Sequence, residues 1–289
     1  MTKVMECIDE VRALVIEAKK AGKVIGFVPT MGALHEGHLT LMQEAKKQCD
    51  VVIVSIFINP TQFGPNEDLD AYPRTWADDL KACDLVGADV VFHPQVREMY
   101  PDGWGTWVEV ERVTEILCGK SRPTHFRGVA TVVIKLLNIV QPDKAFFGQK
   151  DAQQVVVIKK MVRDLNMPYE IVMVPIVRDP DGLAKSSRNV YLSAEQRQAA
   201  LVLYRSLCRA KELTDSGERD IKRIKAVVMD YIQSESLANV DYVEIYSLPE
   251  LAEIESLEQE ALLAVAVKFG STRLIDNVIL KPNRSRRYQ

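Results

Sequence analysis

The stretch that decides the fold is residues 24–58, "VIGFVPTMGALHEGHLTLMQEAKKQCDVVIVSIFI". Two apolar runs, 24–29 and 51–58, flank a helical pattern from Gly37 to Lys47. The second run is apolar at every position but one, which is typical of a parallel strand covered by helices on both faces. The stretch therefore predicts a strand, a helix and a second strand that runs parallel to the first.

The same alternation of strands and helices continues along the chain. Further strands are predicted at 89–93, 144–148 and 169–177. Helical patterns lie near 74–86, 112–118, 128–140 and 151–165. This repetition predicts an α/β fold with a doubly wound, Rossmann-like parallel sheet.

The composition changes at residues 178–189, "RDPDGLAKSSRN", which are rich in residues that form turns. Beyond this stretch the patterns predict helices at 194–213 and 218–234, followed by strands at 240–247, 261–269 and 272–280. We therefore predict a Rossmann-like first domain, 1–178, and a smaller α+β domain, 179–289.

Composition narrows the class of protein. The 289 residues are 47% hydrophobic and 27% charged, as in an ordinary globular chain. A formal charge of −3 gives no general attraction for nucleic acid, so no nucleic-acid partner is expected. Residues 1–15 lack the apolar core of a signal peptide, and no later stretch has membrane-spanning length, so we expect a cytoplasmic protein without a membrane partner. The five scattered cysteines form no C-x-x-C pair, which predicts reduced thiols.

Two histidines stand close together in the turn "MGALHEGHL", 31–39. Gly32 and Gly37 allow close approach of the backbone, and the helix that follows offers unpaired N–H groups at its positive end, where phosphate binds. His35 and His38, three residues apart, fall on the same side of the first helical turn. Surface or core histidines, or a metal pair that lacks further ligands, are the alternatives.

A second candidate is the loop "GLAKSSRN", 182–189. Lys185 and Arg188 bring two cations, and Ser186 and Ser187 two hydroxyls, into four residues. Such groups stabilise charge that develops on a transferring phosphoryl or nucleotidyl group. Taken singly, the loop also fits a solvated turn between domains.

A third candidate, "FFGQKDAQQ" at 146–154, leads from a strand into a helix. Open α/β sheets bind ligands at the carboxyl ends of their strands. Lys150 could bind a phosphate there, while Gln153 and Gln154 could hydrogen-bond an oxygen-rich substrate. A Lys-Asp pair that merely caps the helix is the alternative.

Two further loops carry polar side chains that suit recognition of hydroxyl, carboxylate or phosphate groups. The loop at 55–75 contains Asn59, Gln62, Tyr72 and Arg74, and the loop at 119–129 contains Lys120, Arg122, His125 and Arg127. Loops at the rim of such a sheet commonly carry binding residues. Each could equally be a plain surface connection.

The pairing of "HEGH" with "KSSR" resembles the nucleotidylyltransferase superfamily, whose members, the class I aminoacyl-tRNA synthetases among them, bind ATP between the two elements. Within it, the chain closely resembles the pantothenate synthetase family, also called pantoate–β-alanine ligases. The resemblance extends over nearly the full length, through the motifs "PTMGALHEGHL", "INPTQFGPNEDLDAYPRT", "RPTHFRGVATVV", "FFGQKDAQQ", "DGLAKSSRNVYLS" and "STRLIDN".

This resemblance implies an ATP-dependent condensation of (R)-pantoate with β-alanine, giving pantothenate, AMP and diphosphate. Pantoate carboxylate first attacks the α-phosphorus to form a pantoyl adenylate, and the β-alanine amine then attacks the activated carbonyl. The resemblance also implies Mg²⁺ accompanying ATP, with its protein contacts left open, a homodimer, and a C-terminal domain that closes over the active site.

The resemblance assigns residues position by position. It implies that His38 acts as an acid toward the phosphates with His35 beside it, that Lys150 and Arg188 stabilise charge, and that Gln62 and Gln154 hold pantoate, Gln62 also near β-alanine. The implied ATP-binding residues are Met31, Gly32, Ala33, Leu34, His35, Glu36, Gly37, His38, Gly148, Gln149, Lys150, Asp151, Val177, Lys185, Ser186, Ser187 and Arg188.

Three other functions are weighed against this one. A related nucleotidyltransferase would release only diphosphate. A synthetase acting on tRNA would need a basic anticodon-binding domain, which the acidic balance and the roughly 110 residues after the boundary do not provide. A regulator that binds nucleotide without catalysis is disfavoured because every candidate catalytic position is filled.

Overall fold

The computed structural model describes residues 1–65, 67 and 69–282, which form two compact units. The first unit comprises Met1–Gln149 and Gln153–Pro175, and the second comprises Lys150–Ala152 and Ile176–Gln289, described here to residue 282. In the first unit a six-stranded parallel sheet has the order β1-β4-β3-β2-β5-β6. Its strands are β1 (Lys3–Met5), β2 (Ile25–Thr30), β3 (Val51–Ile56), β4 (Val90–Phe92), β5 (Lys144–Gly148) and β6 (Glu170–Val174).

Helices flank this sheet. They are α1 (Ile8–Lys20), α2 (Glu36–Gln48), α3 (Trp76–Val86), α4 (Val96–Met99), α5 (Cys118–Ser121), α6 (His125–Val140) and α7 (Ala152–Asp164). Single 3-10 turns occur at Pro60–Gln62 and Gln149–Asp151. Every residue of β3 is buried, and since neighbouring side chains of a strand point to opposite faces, both faces of the sheet are covered. The α/β prediction is confirmed.

The strand order contains one reversal that bears on ligand binding. From β2 the chain moves through β3 to β4 on one side, whereas β5 and β6 lie on the other side of β2. The neighbours β2 and β5, paired at Phe27 and Ala145, therefore flank a topological switch point. Open α/β sheets form their ligand crevice beyond the carboxyl ends of the strands at such a point.

The second unit holds a three-stranded antiparallel sheet in the order β7-β8-β9. Its elements are α8 (Ala194–Ala199), α9 (Leu201–Asp215), α10 (Ile221–Gln233), β7 (Ala238–Ser247), β8 (Ala261–Phe269) and β9 (Thr272–Leu280), after a 3-10 turn at Ser187–Tyr191. Apolar side chains from α9 and α10 pack with those of the sheet in one core. This agrees with the predicted α+β domain, whose boundary at 178/179 stays a prediction.

Several predicted elements differ from the structure. The sequence patterns did not reveal β1, α1 or α4, and the predicted helix at 194–213 is divided into α8 and α9. The helix predicted at 112–118 is wrong: Arg112 and Leu117 have positive φ angles of 69° and 49°, which interrupt a right-handed helix, and the segment forms turns. Residues 283–289, most of the basic C-terminal stretch "KPNRSRRYQ" at 281–289, lie outside the described residues.

Two further expectations concern bilayers and thiols. Across residues 1–65, 67 and 69–282, no helix combines the length and the apolar character needed to cross a membrane. All five cysteines are free thiols, as predicted, with Cys49 and Cys83 buried. Burial, and to a lesser extent the negative charge of Asp79, raises the pKa of the Cys83 thiol to about 12.

Candidate functional site

The two histidines cap the N-terminus of α2 with their own side chains. His35 is the N-cap residue, and its Nδ1 accepts a hydrogen bond from the Gly37 N–H at 3.1 Å. His38 Nδ1 accepts one from the His35 N–H at 3.2 Å. Because Nδ1 is the acceptor in both rings, the proton of each neutral imidazole is on Nε2. The rings lie 4.1 Å apart between centroids.

This arrangement fits an anion better than a metal ion. The first turn of α2 begins one β-α connection after β2, at the switch point, and its N–H groups carry the positive end of the helix dipole. An imidazole with its proton on Nε2 donates from that atom, whereas a metal ligand needs a lone pair there. The Gly37 and His38 N–H groups are already bonded to His35 itself, so the site combines the positive end of the helix dipole with two imidazole donors.

The turn before α2 has an unusual backbone. Gly32 has φ +82° and Ala33 has φ +51°, in the left-handed region that costs a residue with a Cβ atom about 1–2 kcal/mol. At Gly32, a Cβ atom would also lie 2.9 Å from Asp79 Oδ2. Glycine is thus required at this position for both its conformation and its size.

Asp79 of α3 holds this turn in place. Its Oδ2 accepts from the Ala33 N–H at 3.0 Å, and its Oδ1 accepts from the Leu34 N–H at 2.8 Å and from the Thr75 hydroxyl at 3.1 Å. The residue is only 3% exposed. Asp79 was not among the residues predicted from the sequence, because in "WADDL" nothing distinguishes it from its exposed neighbour Asp78. Only the tertiary contact reveals its role.

Gln62 lies against Met31, so the structure brings together one predicted pantoate residue and one predicted ATP residue. Its Nε2 contacts Met31 Sδ at 3.1 Å, and its Oε1 accepts from Asn59 Nδ2 at 3.1 Å. Asn59, buried, also accepts on Oδ1 from the Tyr100 hydroxyl at 2.7 Å. Asn59 therefore orients Gln62, so Asn59 has a supporting role rather than a role in contacting a ligand.

The backbone of Gln62 is held by the first residue of α6 and by the segment just before that helix. His125 Nδ1 lies 3.0 Å from the Gln62 carbonyl oxygen, and Arg122 Nη2 donates to the same oxygen at 3.3 Å. Arg122 also forms an ion pair with Glu67. Partial burial raises the pKa of Glu67, but the hydrogen bonds and charge of Arg122 outweigh it and hold that pKa below its ordinary value.

Several polar candidates from the sequence have internal roles. Gln153 donates to the carbonyl oxygens of Val113 and Ile116 at 2.9 and 2.7 Å and accepts from the Cys118 N–H at 3.0 Å, so the prediction that it contacts substrate is wrong. Arg74 donates to backbone carbonyl oxygens of its own loop.

The positive charge predicted for residues 119–129 is partly neutralised. Arg122 pairs with Glu67, and Arg127 pairs with Glu109 at 3.4 Å and lies over the Trp107 ring. Lys120 is exposed. This segment therefore supports the Gln62 turn more directly than it offers cations to a ligand. Tyr72 is buried, with its ring against Phe63.

A cavity of about 430 Å³ lies in the first unit beside the turn. Met31, Gly32 and Asp79 line it together with apolar side chains such as Ile56 and Trp76. Its size suits a small molecule. Within the described ranges, its lining includes neither histidine of the turn and neither Gln62 nor Gln154.

The segment after β5 follows the switch point. Gly148, Gln149 and Gln154 are half-buried in the first unit. Lys150 and Asp151 belong to the second unit, where Lys150 is half-buried and its Nζ lies 3.8 Å from Asp151 Oδ1.

In the second unit, the loop at 182–189 is tied by local bonds. The Lys185 N–H donates to the Val177 carbonyl oxygen at 2.9 Å, which brings these two predicted ATP residues together. Ser186 Oγ accepts from the Arg188 N–H at 3.3 Å and caps the 3-10 turn that begins at Ser187. Lys185 Nζ pairs with Asp179 Oδ1 at 2.6 Å. The loop is therefore ordered around its polar side chains.

No ready-made metal cage is found within the parts of the chain that the structure describes: no three or more His, Cys, Asp or Glu side chains are grouped to hold a metal ion. Mg²⁺ commonly binds through substrate phosphates with one or two carboxylates rather than through a protein cage.

Comparison with known proteins places these features in a family. A family model described as pantoate-beta-alanine ligase matches residues 3–279. The pantothenate synthetase of Pelotomaculum thermopropionicum is 61% identical over 277 residues, 96% of this chain and 98% of the relative. That of Acetivibrio thermocellus is 57% identical over 279 residues, 96% of this chain and 99% of the relative.

Solved structures agree. A pantothenate synthetase from Thermus thermophilus has a TM-score of 0.92 and 42% identity, covering 97% of this chain and 100% of the neighbour. The Francisella tularensis pantoate-beta-alanine ligase, solved with beta-gamma ATP and beta-alanine, has a TM-score of 0.78 and 34% identity over 96% of this chain and 98% of its own. The chain belongs to the pantoate–β-alanine ligase family.

Proposed function

We propose that the protein condenses (R)-pantoate with β-alanine at the expense of ATP, releasing AMP and diphosphate through an enzyme-held pantoyl adenylate. The observation that carries the proposal is the pair of Nδ1 acceptors in the turn before α2, which assigns both Nε2 protons as donors at a helix N-terminus. Membership of the family supplies the reaction, and this geometry supplies a reason for its adenylation step.

In the first half-reaction, a carboxylate oxygen of pantoate attacks the α-phosphorus of ATP, and diphosphate leaves. Negative charge grows on the phosphoryl oxygens and on the leaving group. We propose that His38, assisted by His35, donates from Nε2 to these oxygens, with the positive end of the α2 dipole beside it. Fixed donors of this kind stabilise a transition state because they need no reorganisation.

We propose further that Met31–His38, Gly148–Asp151, Val177 and Lys185–Arg188 bind ATP. Lys150 and Arg188 would supply charge to the triphosphate. For Lys185, the ion pair with Asp179 means that its Nζ must exchange one anionic partner for another when it binds phosphate. This supports only a modest contribution of Lys185 to ATP affinity.

In the second half-reaction, the amine of β-alanine attacks the carbonyl carbon of the adenylate, the amide bond forms and AMP leaves. We propose that Gln62 and Gln154 hold the hydroxy acid, with Gln62 also near the amine. The support for Gln62 is its fixed orientation: Asn59 holds its Oε1, and His125 and Arg122 hold its backbone carbonyl. A fixed amide keeps the acyl group in line for both attacks.

Three accompanying properties are proposals as well. Mg²⁺ would enter as MgATP and neutralise the phosphates, the protein would be a homodimer, and it would be cytoplasmic. Light scattering tests the dimer directly: a 32.6 kDa chain would give a particle of twice that mass. Closure of the C-terminal domain over the active site stays a prediction.

The decisive test supplies purified protein with MgATP, β-alanine and pantoate labelled with ¹⁸O in its carboxylate. Pantothenate and AMP should require both organic substrates, whereas the first equivalent of diphosphate should require only pantoate. Over many turnovers the proposal expects pantothenate, AMP and diphosphate in equal amounts, with one labelled oxygen in AMP. That label arises only if pantoate oxygen attacks the α-phosphorus. Release of diphosphate without AMP would instead indicate the related nucleotidyltransferase, and ADP with phosphate would indicate attack at the γ-phosphorus.

A further inference from the structure

The motif "STRLIDN", 271–277, ends in two buried polar residues of β9. Asp276 is 2% exposed and Asn277 is 3% exposed. Since neighbouring residues of a strand point to opposite faces, the two side chains serve opposite sides of the three-stranded sheet. Buried polar groups of this kind must be fully hydrogen-bonded to be stable, so their partners are informative.

Asp276 anchors the base of the loop that carries Lys185–Arg188. Its two oxygens accept from Arg178 Nη1 and Nη2 at 2.6 and 2.9 Å, a bidentate pair. Arg178 Nη1 also donates to the Gly182 carbonyl oxygen at 3.0 Å, and the guanidinium lies over the Tyr204 ring. The base of the loop is therefore fixed against β9.

Asn277 holds the other charged segment of this unit. Its Nδ2 donates to the Lys150 carbonyl oxygen at 3.0 Å. The Asn277 N–H donates to Asp276 Oδ1 at 2.7 Å, which couples the two neighbouring anchors. One pair of adjacent residues thus fixes two segments that are far apart in sequence, residues 150–152 and 178–188, within the same compact unit.

We propose that Asp276 and Asn277 are positioning residues for adenylation: they hold the Lys150 turn and the Lys185–Arg188 loop in the arrangement that binds the triphosphate. This inference rests on the proposed function. Its physical basis is that charge donors accelerate phosphoryl chemistry only when they are preorganised, and a displacement of about 1 Å costs about 100-fold in rate.

The test is a double-mutant cycle between Asn277→Ala and Lys150→Ala, followed by single-turnover release of diphosphate from ATP and pantoate. Asn277→Ala alone should lower the adenylation rate by about 10- to 100-fold. It should leave the KM for pantoate near its original value. In the Lys150→Ala background the same substitution should cost less than about threefold, because the group that it positions is already gone.

Two controls separate positioning from general damage. The cycle is repeated with His38→Ala in place of Lys150→Ala. Because His38 belongs to the other compact unit, the losses in adenylation rate from Asn277→Ala and His38→Ala should multiply. Asn239→Ala removes the same side chain from an exposed position of β7 in the same sheet and should leave adenylation unchanged. If the alanine variant of Asn277 does not fold, Asn277→Ser replaces it, since a serine hydroxyl is too short to reach the Lys150 carbonyl oxygen.

The outcomes are distinct. Losses that multiply in the Lys150 cycle, or a single variant with unchanged adenylation, would overturn the positioning role while the proposed function stands. Unmutated protein that forms no pantothenate would instead overturn the function itself.

Discussion

At the scale of single residues, the two histidines of the turn differ in what their hydrogen bonds do. His35 Nδ1 caps α2 by accepting from Gly37, whereas His38 Nδ1 accepts from the backbone of His35 itself. Both bonds are made by the neutral ring and are lost if Nδ1 is protonated. The geometry therefore favours a donor role for neutral imidazoles over a role for imidazolium ions.

Replacing His38 tests this donor role. His38→Ala should lose about 10²–10⁴ in the rate of adenylate formation, the scale for a lost acid or charge-stabilising group. His38→Gln places an amide donor near the Nε2 position and should retain more activity than His38→Asn, whose amide reaches only the Nδ1 position. Single-turnover release of diphosphate measures all three. Near-normal adenylation by the alanine variant would remove His38 from the mechanism.

Asp79 offers a second test at this scale. Asp79→Asn keeps the shape but turns one acceptor oxygen into an N–H₂ group that faces a donor, so we expect a loss of about 1–3 kcal/mol in the free energy of unfolding. Adenylation should slow as well, since the left-handed turn at Ala33 loses its support. The matched control is Asp78→Asn, the exposed neighbour. Equal unfolding midpoints in urea for Asp79→Asn and Asp78→Asn would contradict the role of Asp79 in holding the turn in place.

At the scale of elements, α6 and the turn at Pro60–Gln62 form one unit of packing. A Cβ atom at Gly128 would lie 2.3 Å from the Thr61 carbonyl oxygen, and the Gly128 carbonyl oxygen accepts from Asn59. The helix thus approaches the turn as closely as its backbone permits. The orientation of Gln62 therefore depends on a helix more than 60 residues away in sequence.

Gly128→Ala should disturb this contact. Because the obstructing atoms belong to backbone, the strain should reach the upper end of the usual 1–3 kcal/mol for overpacking. The KM for pantoate should rise more than the KM for ATP, since the turn carries Gln62. Steady-state kinetics and thermal unfolding measure both effects. Gly105→Ala, where a Cβ atom meets nothing within 4 Å, is the control and should change neither.

At the scale of the whole molecule, several carboxyl groups are held in their charged form. The pKa values of Asp84 and Glu218 are lowered chiefly by backbone hydrogen bonds, and those of Asp164 and Asp181 by hydrogen bonds from Lys160 and Arg197. Against the effect of partial burial, the pKa of Glu67 is lowered by hydrogen bonds and charge from Arg122. A lowered pKa stabilises the fold above the unfolded pKa, and this stability is lost as pH falls through the folded pKa.

Stability should therefore decrease as pH falls below about 4.5, the ordinary value for glutamate. Glu67→Gln should be less stable than the original protein at pH 7, by about 1–2 kcal/mol. The gap should narrow at pH 3.5 because protonation of the unfolded chain below about 4.5 offsets part of what the ion pair contributes. Thermal unfolding at the two pH values measures the gap. A difference in stability that is the same at both pH values would contradict a stabilising role for the Glu67–Arg122 ion pair. Glu109→Gln, which removes a more exposed ion pair, should give only a small gap at either pH.

Much of the fold followed from local pattern. The strand at 144–148 and those at 261–269 and 272–280 were predicted with their observed bounds, since continuous apolar runs between turn residues leave little choice. The short β1 was missed because three residues carry too little pattern, and the helix at 112–118 was predicted from periodicity that the positive φ angles at Arg112 and Leu117 override.

The β-α order, the turn that bears His35 and His38, the family motifs and hence the family can all be predicted from the sequence. The strand order, which puts β2 beside β5 at the switch point, becomes known only from the folded chain. The same is true of the partners of Asp79, Asn59, Asp276 and Asn277. The physical reason is that strands, helices and turns follow from interactions among near neighbours in the chain. A buried carboxylate or amide is instead defined by the groups that satisfy it, and these come from segments tens of residues away.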